Sequence, residues 1–157
     1  MDKEQFAAAA QEMERSLYCI ARSYLHCEAD CEDALQSALL RAWEKRNTLR
    51  EERYFRTWLT RILINSCKEI LRHRKRERSM DEYPETAAPP SADPVLWELL
   101  RAMEPKYRII VILHYRDGYS IKEVAAILRL PESTVKTRLF RARQQLKTDL
   151  EKESVLA

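Results

Sequence analysis

The chain of 157 residues contains a single glycine, Gly118, and this scarcity constrains its fold more than any other feature. Antiparallel strands are usually joined by tight hairpins that need glycine or Asn-Gly turns. A chain with one glycine is therefore expected to consist of helices connected by short polar turns. Hydrophobic residues make up 45% of the sequence, which is enough for a core in one domain or in two small ones.

Apolar residues recur every three or four positions along the first half of the chain, which is the period of amphipathic helices. This pattern predicts one long helix over residues 3–25, a second that Asp30 caps and that ends near residue 45, and a third over residues 54–76. Four residues of the second helix are expected to be buried: Leu35, Ala38, Leu39 and Ala42.

The third helix ends in the basic sequence HRKRER, and residues 68–78 hold six lysines and arginines against two glutamates. The dipole of a helix C-terminus needs fewer cations than this, so a phosphate-binding edge is favoured over a solvated cap. Trp58 shares its helix face with Phe55 and Leu59. We therefore expect it in the core rather than as a platform on which a base stacks.

A proline-rich segment separates the two halves of the chain. Residues 79–96 contain four acidic residues, no basic residue and four prolines: Pro84, Pro89, Pro90 and Pro94. Prolines at this density prevent a packed helix and favour an extended tether. The sequence therefore predicts an all-α protein of two small helical domains, residues 1–76 and 94–157, joined by a flexible acidic linker over residues 77–93.

The second domain is predicted to hold about four helices. Asp93 and the proline after it form a cap and first-turn pair for a helix that ends near residue 103. Its buried residues are expected to be Leu96, Leu99, Leu100 and Met103. The next helix begins near residue 104 and stops at Gly118, where a left-handed glycine costs least. Ser120 and Glu123 form a capping box for the third helix.

Residues 120–150 are predicted to form a helix-turn-helix, with a tight turn at Leu130 and Pro131 before a longer basic helix. One stripe of that helix is apolar and is expected to face inward: Val135, Leu139, Ala142, Leu146 and Leu150. The opposite face carries polar groups, cations and one aromatic ring: Ser133, Lys136, Thr137, Phe140, Arg141 and Gln144.

This polar face is suited to DNA, since residues 133–148 include no acidic residue. In the major groove, arginine and lysine bind guanine edges and apolar groups contact thymine methyls. Phe140 is expected either to meet such a partner or to pack back onto the preceding helix of its own domain.

The cysteines and histidines offer little support for catalysis or metal binding. Cys19, Cys27, Cys31 and Cys67 are expected to be reduced thiols of a cytoplasmic protein, because no apolar run approaches the ~18 residues of a membrane span. His26 lies near two of them, but no fourth ligand is nearby, so ordinary thiols are favoured over zinc. No Gly-rich phosphate loop or nucleophile motif occurs. The sequence thus predicts a non-enzyme with no metal, cofactor or small-molecule substrate.

Three stretches of the chain resemble, in order, segments of the sigma factors of bacterial RNA polymerase, in particular the small extracytoplasmic-function (ECF) type. DCEDALQSALLRAW is similar to the segment that binds core polymerase, and FRTWLTRILINSCKEILRHRKR to the segment that engages the -10 promoter element. GYSIKEVAAILRLPESTVKTRLFRARQQL is similar to the domain that reads the -35 element. The resemblance covers nearly the whole chain and implies a region 2-like domain over residues 1–76 and a region 4-like domain over residues 94–157.

The resemblance implies a sigma factor that binds core RNA polymerase and directs promoter-specific initiation, and it assigns residues to three surfaces. The expected contacts to core polymerase are Asp33, Gln36, Leu40, Arg41 and Trp43. The expected contacts to the melted non-template strand at the -10 element are Asn47, Arg61, Asn65, Lys68, Glu69 and Arg72. The expected contacts to duplex DNA at the -35 element are Ser133, Thr134, Lys136, Thr137, Arg138, Phe140, Arg141, Arg143, Gln144 and Lys147. An anti-sigma factor is a further implied partner.

Two positions depart from the pattern of this family. Arg129 stands in the turn before the proline where relatives usually carry glycine, so a looser or differently shaped turn is expected. Ser133 also stands where glycine is common, and it is expected to cap the recognition helix or to contact phosphate. Glu69 is expected either to bind a base amine or to point away from the strand.

One competing interpretation remains from the sequence. The chain would then be a stand-alone helix-turn-helix regulator with an N-terminal helical interaction domain. The basic end of the third helix argues against it, because such a domain needs no nucleic-acid surface of its own.

Overall fold

The computed structural model of the protein describes residues 1–76 and 93–156, with side chains described up to residue 152. These ranges contain eight α-helices and no strand, which confirms the all-α expectation. The chain separates into two compact units, Met1–Ser91 and Ala92–Ala157. The predicted linker, apart from Asp93, lies outside the described residues. No helix in the described ranges is both long enough and apolar enough to cross a membrane.

The first unit contains four α-helices: α1 (Lys3–Glu12), α2 (Glu14–Tyr24), α3 (Glu28–Glu44) and α4 (Phe55–Arg76). Two short 3-10 turns, Arg46–Thr48 and Glu52–Tyr54, connect α3 to α4. α3 packs along α4, and α2 packs against both. The centre of this core is formed by fully buried side chains: Ile20, Ala34, Leu59, Leu63 and Ile64.

An aromatic cluster attaches α1 to the rest of this unit. The ring of Phe6 lies 5.3 Å from the ring of Trp43 and 5.6 Å from that of Phe55, both edge to face. Phe55 in turn lies 6.0 Å from Trp58, which is half-buried. Trp58 therefore packs at the edge of the core through Phe55 rather than inside it, which meets the expectation for it only in part.

Two predictions for this unit were wrong in detail. The single helix expected over residues 3–25 is interrupted at Met13, whose N–H bonds to the carbonyl of Ala10 three residues back. This tighter turn lets the Met13 side chain enter the core, where it is only 5% exposed. Asp30 does not cap α3, because the helix begins two residues earlier and Cys27 occupies the cap, with its sulfur accepting from the Asp30 N–H.

The buried face of α3 also differs from the predicted one. Ala38 and Ala42 are buried as expected, but Leu35 and Leu39 are only half-buried. Small residues therefore face α4, which permits close helix packing. The two leucines instead line an apolar cleft of about 660 Å³ between α1, α2 and α3.

The second unit contains four α-helices: α5 (Pro94–Ala102), α6 (Pro105–Val111), α7 (Ile121–Leu128) and α8 (Glu132–Leu156). One turn of π-helix, Ile112–Arg116, extends α6. Its core is formed by buried side chains from all four helices: Trp97, Ile110, Leu113, Val124 and Val135.

Local caps in this unit follow the sequence prediction closely. Asp93 caps α5 by accepting from the N–H groups of Val95 and Leu96. Ser120 and Glu123 form the reciprocal capping box of α7, with bonds of 3.0 and 3.1 Å. Gly118 adopts the expected left-handed conformation, with φ of 78°. One core residue was misassigned, since Leu96 is 46% exposed whereas its neighbour Trp97 is 2% exposed.

A buried arginine ties α5 to α6. Arg108 is 8% exposed and donates from Nε to the carbonyl of Leu100 at 3.0 Å and from Nη2 to that of Met103 at 2.9 Å. These carbonyls lie at the C-terminus of α5, where helix acceptors lack intrahelical partners and the dipole favours a cation. Arg108 therefore acts as a C-terminal cap supplied by the next helix.

Candidate nucleic-acid interface

The turn between α7 and α8 fixes how the second helix of the helix-turn-helix leaves the domain. Arg129 adopts the left-handed conformation, with φ of 56° and ψ of 48°. The N–H of Leu130 then bonds to the carbonyl of Ala125 at 3.0 Å, as in a Schellman motif. The looser turn expected from arginine at this position is therefore not formed. The chain adopts the turn that glycine would favour and keeps the strain of a left-handed side chain.

α8 places the predicted DNA-contact residues on its solvent side. Val135, Leu139 and Ala142 are buried, whereas Leu146 and Leu150 near the helix end are not. Eight of the ten predicted contacts are exposed: Ser133, Lys136, Thr137, Phe140, Arg141, Arg143, Gln144 and Lys147. The other two, Thr134 and Arg138, are half-buried at the edge of that face.

Phe140 is the most informative side chain of this face, because 61% of its surface is exposed. It does not pack back onto the preceding helix of its domain, which was one of the two expectations for it.

Ser133 lies one residue inside α8 rather than ahead of it, and its carbonyl accepts from the Thr137 hydroxyl at 3.0 Å. Ser133 is therefore not the helix cap.

Tyr115 was missed by the sequence analysis, although it contacts a predicted DNA-binding residue. It lies in the π-turn after α6, and its hydroxyl accepts a hydrogen bond from Nε of Arg143. The Arg143 guanidinium also lies over the tyrosine ring, 5.4 Å from its centre. Arg143 is thus held at the side of α8. The signal available in the sequence was a tyrosine three residues before the lone glycine, next to Arg116.

In the first unit, α4 brings together four of the six residues predicted to meet the melted strand. Asn65, Lys68, Glu69 and Arg72 are all exposed and follow spacings of three and four, so they share one helix face. Arg61 lies one turn earlier and is half-buried. Asn47 belongs to a separate element, the 3-10 turn Arg46–Thr48, and is exposed there.

An ion pair links this face to α3. Nη2 of Arg41 lies 2.7 Å from Oε2 of Glu69, and the two side chains are 39% and 46% exposed. The hydrogen bond from Arg41 lowers the pKa of the Glu69 carboxyl, partial burial opposes this, and the charges of Arg72 and Lys45 add to the lowering. The pair was not predicted, since Arg41 was assigned to polymerase and Glu69 to DNA.

The remaining residues predicted to contact polymerase lie along α3 but differ in accessibility. Asp33 and Gln36 are exposed, and Leu40 is 60% exposed. Trp43 is half-buried, with Phe6 at its edge and the Arg46 guanidinium 3.9 Å from its ring centre. Trp43 is therefore engaged in packing on two sides, and Leu40 is the largest open apolar side chain of this set.

The basic end of α4 is anchored by a carboxylate. Asp30 is 4% exposed and accepts from Nη2 of Arg74 at 2.6 Å and from Nε at 3.1 Å. Arg74 is thereby directed towards the first turn of α3, while Lys75 and Arg76 remain exposed. This bidentate pair is 44 residues apart in sequence, so no local pattern indicates it.

Three of the four cysteines are buried in the first unit. Cys19, Cys27, Cys31 and Cys67 are free thiols. Burial raises the pKa of both Cys31 and Cys67 to about 12. Within residues 1–76 and 93–156, no group of three or more histidine, cysteine or acidic side chains is placed to hold a metal ion.

Comparisons with known proteins agree with this architecture. The model of Sigma-70 region 2 matches residues 10–77, and that of Sigma-70, region 4 matches residues 95–146. The RNA polymerase sigma-E factor of Streptomyces coelicolor is 33% identical over 136 residues, which cover 83% of this chain and 77% of that protein. The ECF RNA polymerase sigma factor SigM of Mycobacterium tuberculosis is 33% identical over 151 residues, which cover 92% of this chain and 76% of that protein.

A solved structure is also similar over nearly the full chain. It is the sigma factor RpoE in complex with the anti-sigma factor NepR from Bartonella quintana, at 27% identity and a TM-score of 0.78. The match covers 92% of this chain and 97% of that one.

Proposed function

This chain belongs to the extracytoplasmic-function sigma factors, which direct RNA polymerase to promoters, and we propose that it divides that work among three surfaces. α3 supplies the surface for core polymerase, α4 and the turn before it bind the melted strand, and α8 reads duplex DNA. Sigma factors are non-enzymatic initiation factors, so we infer no catalysis by this chain and a cytoplasmic place of action beside the polymerase.

The duplex-reading role rests on the solvent face of α8. That face presents Lys136 and Arg141 around the exposed ring of Phe140, with no acidic residue from 133 to 148. An exposed aromatic ring between cations is costly in water and gains from contact with thymine methyls. The exposed Phe140 ring among cations is the single observation on which the proposal for the second unit rests. Arg138 and Lys147 flank the face as phosphate contacts.

The strand-binding role rests on the exposed row of α4. Asn65 supplies donors and an acceptor for base edges, while Lys68 and Arg72 supply charge for the backbone on the same face. Arg61, one turn earlier on α4, and Asn47, in a 3-10 turn of the connection before that helix, complete the set. Melted DNA has unpaired base edges that need such polar groups, and its phosphates need cations.

The polymerase-binding role rests on α3. Asp33, Gln36 and Leu40 are open to a partner, and Leu40 offers an apolar contact surrounded by polar groups. Arg41 borders this surface and the strand-binding one. Trp43 is half-buried and supports this part of α3 through its contact with Phe6 of α1.

An anti-sigma factor is a further expected partner. The similar structure from Bartonella quintana contains one, and this chain matches nearly all of the sigma factor in that complex. The apolar cleft between α1, α2 and α3, lined by residues such as Phe6, Leu35 and Leu39, marks this side of the first unit as suited to protein contact.

The direct test is run-off transcription from genomic promoter fragments with purified core polymerase, with and without the chain. Initiation at a subset of fragments only in its presence supports the proposal. Tight sequence-specific binding to duplex DNA without polymerase, together with no effect on initiation, would instead favour a stand-alone regulator. The family matches over residues 10–77 do not favour that alternative.

Two variants separate base reading from phosphate binding in α8. Arg141→Ala should weaken binding to the selected promoters by about 1–3 kcal/mol and relax preference at one base pair. Lys147→Ala should weaken binding to all sequences about evenly, with a smaller salt dependence. Equal, sequence-independent losses for both variants would overturn the role of Arg141 as a base reader.

A further inference from the structure

The acid within the strand-binding row of α4 is held by α3. Glu69 is the one acid among the six residues predicted to meet the strand. Its Oε2 accepts from Nη2 of Arg41 at 2.7 Å, and the positive charges of Lys45 and Arg72 also act on its carboxyl. The carboxylate thus lies among cations, and 46% of the Glu69 side chain remains exposed to a ligand.

The ion pair is poorly suited to a purely structural role. Both side chains are substantially exposed, and exposed pairs contribute little to stability because water screens them. α3 and α4 are already joined by buried apolar packing and by the pair between Asp30 and Arg74. The arrangement therefore calls for a reason other than holding the two helices together.

The chemistry of an ionised carboxylate restricts which unpaired base it tolerates. A carboxylate only accepts hydrogen bonds. Adenine and cytosine present an exocyclic amine as a donor, whereas guanine and thymine present a carbonyl oxygen at the equivalent position. A carbonyl facing Glu69 would leave two acceptors opposed, so a keto base is disfavoured there. Guanine binds a carboxylate best through its N1–H and amino group together, and this two-bond contact would compete with Arg41 for Oε2.

We propose that Glu69 is a specificity-determining residue that selects adenine or cytosine at one position of the melted strand. Arg41 is the positioning residue that fixes the carboxylate, leaving Oε1 to accept from the base amine. The inference rests on the strand-binding role proposed above for α4. The nearby cations, Lys45 and Arg72, hold the strand backbone close enough for the contact.

The test uses holoenzyme assembled from the full chain and core polymerase. Premelted templates carry each of the four bases, one non-template position at a time, and run-off product is measured for every base. The wild type should favour adenine and cytosine over guanine and thymine by about tenfold or more at one position. Ratios between bases are compared within each variant, so a variant that assembles less well still gives a readable result.

Four variants separate reading from structure. Glu69→Gln keeps the shape but adds a donor, and it should bring the run-off yields for the four bases to within about threefold of one another. Arg41→Gln should weaken the preference at the same position. The double exchange R41E/E69R restores an ion pair and should reverse the preference towards guanine and thymine, whose carbonyls accept from arginine. Lys68→Gln is the matched control on the same face and should lower the run-off yield for all four bases by the same factor.

Two results would overturn the inference. One is a wild-type preference that Glu69→Gln leaves unchanged. The other is a double exchange that restores the wild-type order of bases, since only a structural pair would behave so. Either failure leaves promoter-selective initiation by the wild type intact, whereas failure of the proposed function would abolish it on every template.

Discussion

The C-terminal cap of α5 by Arg108 provides a quantitative test of the fold of the second unit. Replacing it by Met keeps an apolar stem of similar length but leaves the carbonyls of Leu100 and Met103 without the guanidinium. Hydrogen bonds to charged groups contribute about 1.5–3 kcal/mol each, and two are of good length here. Burial of the Met side chain and removal of a buried charge recover part of this loss. We expect Arg108→Met to lower the free energy of unfolding by about 2–4 kcal/mol.

The assay is urea unfolding of the full chain labelled with 5-fluorotryptophan and followed by fluorine NMR. The three tryptophans, Trp43, Trp58 and Trp97, divide between the units, so Trp97 reports on the second unit alone. The free energy from the Trp97 signal is obtained by linear extrapolation to zero urea. Trp43 and Trp58 serve as an internal reference and should keep the wild-type midpoint.

Two further variants give the expected effect a scale. Arg108→Lys keeps the charge but replaces a planar fork by a single ammonium, and it should cost about half as much as the Met variant. Lys106→Met removes a neighbouring exposed cation, whose pair with Glu104 spans 3.6 Å, and should cost at most about 1 kcal/mol. A loss below about 0.5 kcal/mol for Arg108→Met, or one equal to that of Lys106→Met, would refute the reasoning.

Four other outcomes follow from the structure. Arg129→Gly should stabilise the second unit by about 0.5–1 kcal/mol in the same assay, because relief of left-handed strain exceeds the entropy that glycine adds to the unfolded chain. Arg129→Ala should not stabilise it. Arg74→Met should destabilise the first unit by about 1–2 kcal/mol, because it leaves the Asp30 carboxylate buried without its partner. Arg76→Met is the control and should not destabilise the unit. Adding Asp30→Asn to Arg74→Met should recover part of the loss. Iodoacetamide at pH 8 should modify Cys27 before Cys31 and Cys67, whose pKa burial raises to about 12, and their rates should rise only when urea unfolds the unit. Because the pKa of these two thiols is raised on folding from 9.0, their contribution to stability is retained below about pH 9 and is lost as the pH rises towards 12.

Features that depend on neighbours in the sequence were predictable. The caps at Asp93 and Ser120 join a side chain to backbone groups two or three residues away, and Gly118 follows from the conformation of one residue. Helices were recognisable because a repeat near 3.6 residues persists over several turns. The exposed face of α8 followed from the same repeat.

Features that depend on packing between helices were not predictable. Asp30 and Arg74 are 44 residues apart, and only the crossing of α3 over α4 brings them together. The interchange of Leu96 and Trp97 arises near the start of α5, where two neighbouring positions fit an apolar stripe about equally well. At Arg129, local preference argued against a left-handed residue, but burial of Val135 and Leu139 in α8 requires the tight turn, and tertiary packing prevails.

The two helices proposed to bind DNA differ in how their cations are compensated, and this bears on how each would meet DNA. α8 has no acidic residue from 133 to 148, so its exposed cations approach phosphates with little competition from within the helix. On α4, by contrast, Asp30 of α3 pairs with Arg74 at the basic end of the helix, and Glu69 adds a negative charge to the exposed row, where it pairs with Arg41 of α3. Counterion release scales with the number of phosphates that are neutralised, so the salt dependence of promoter binding should arise mainly from α8. We expect the selectivity of the α4 surface to come instead from the fixed positions of Glu69 and Arg74, which suits a strand whose base edges are exposed.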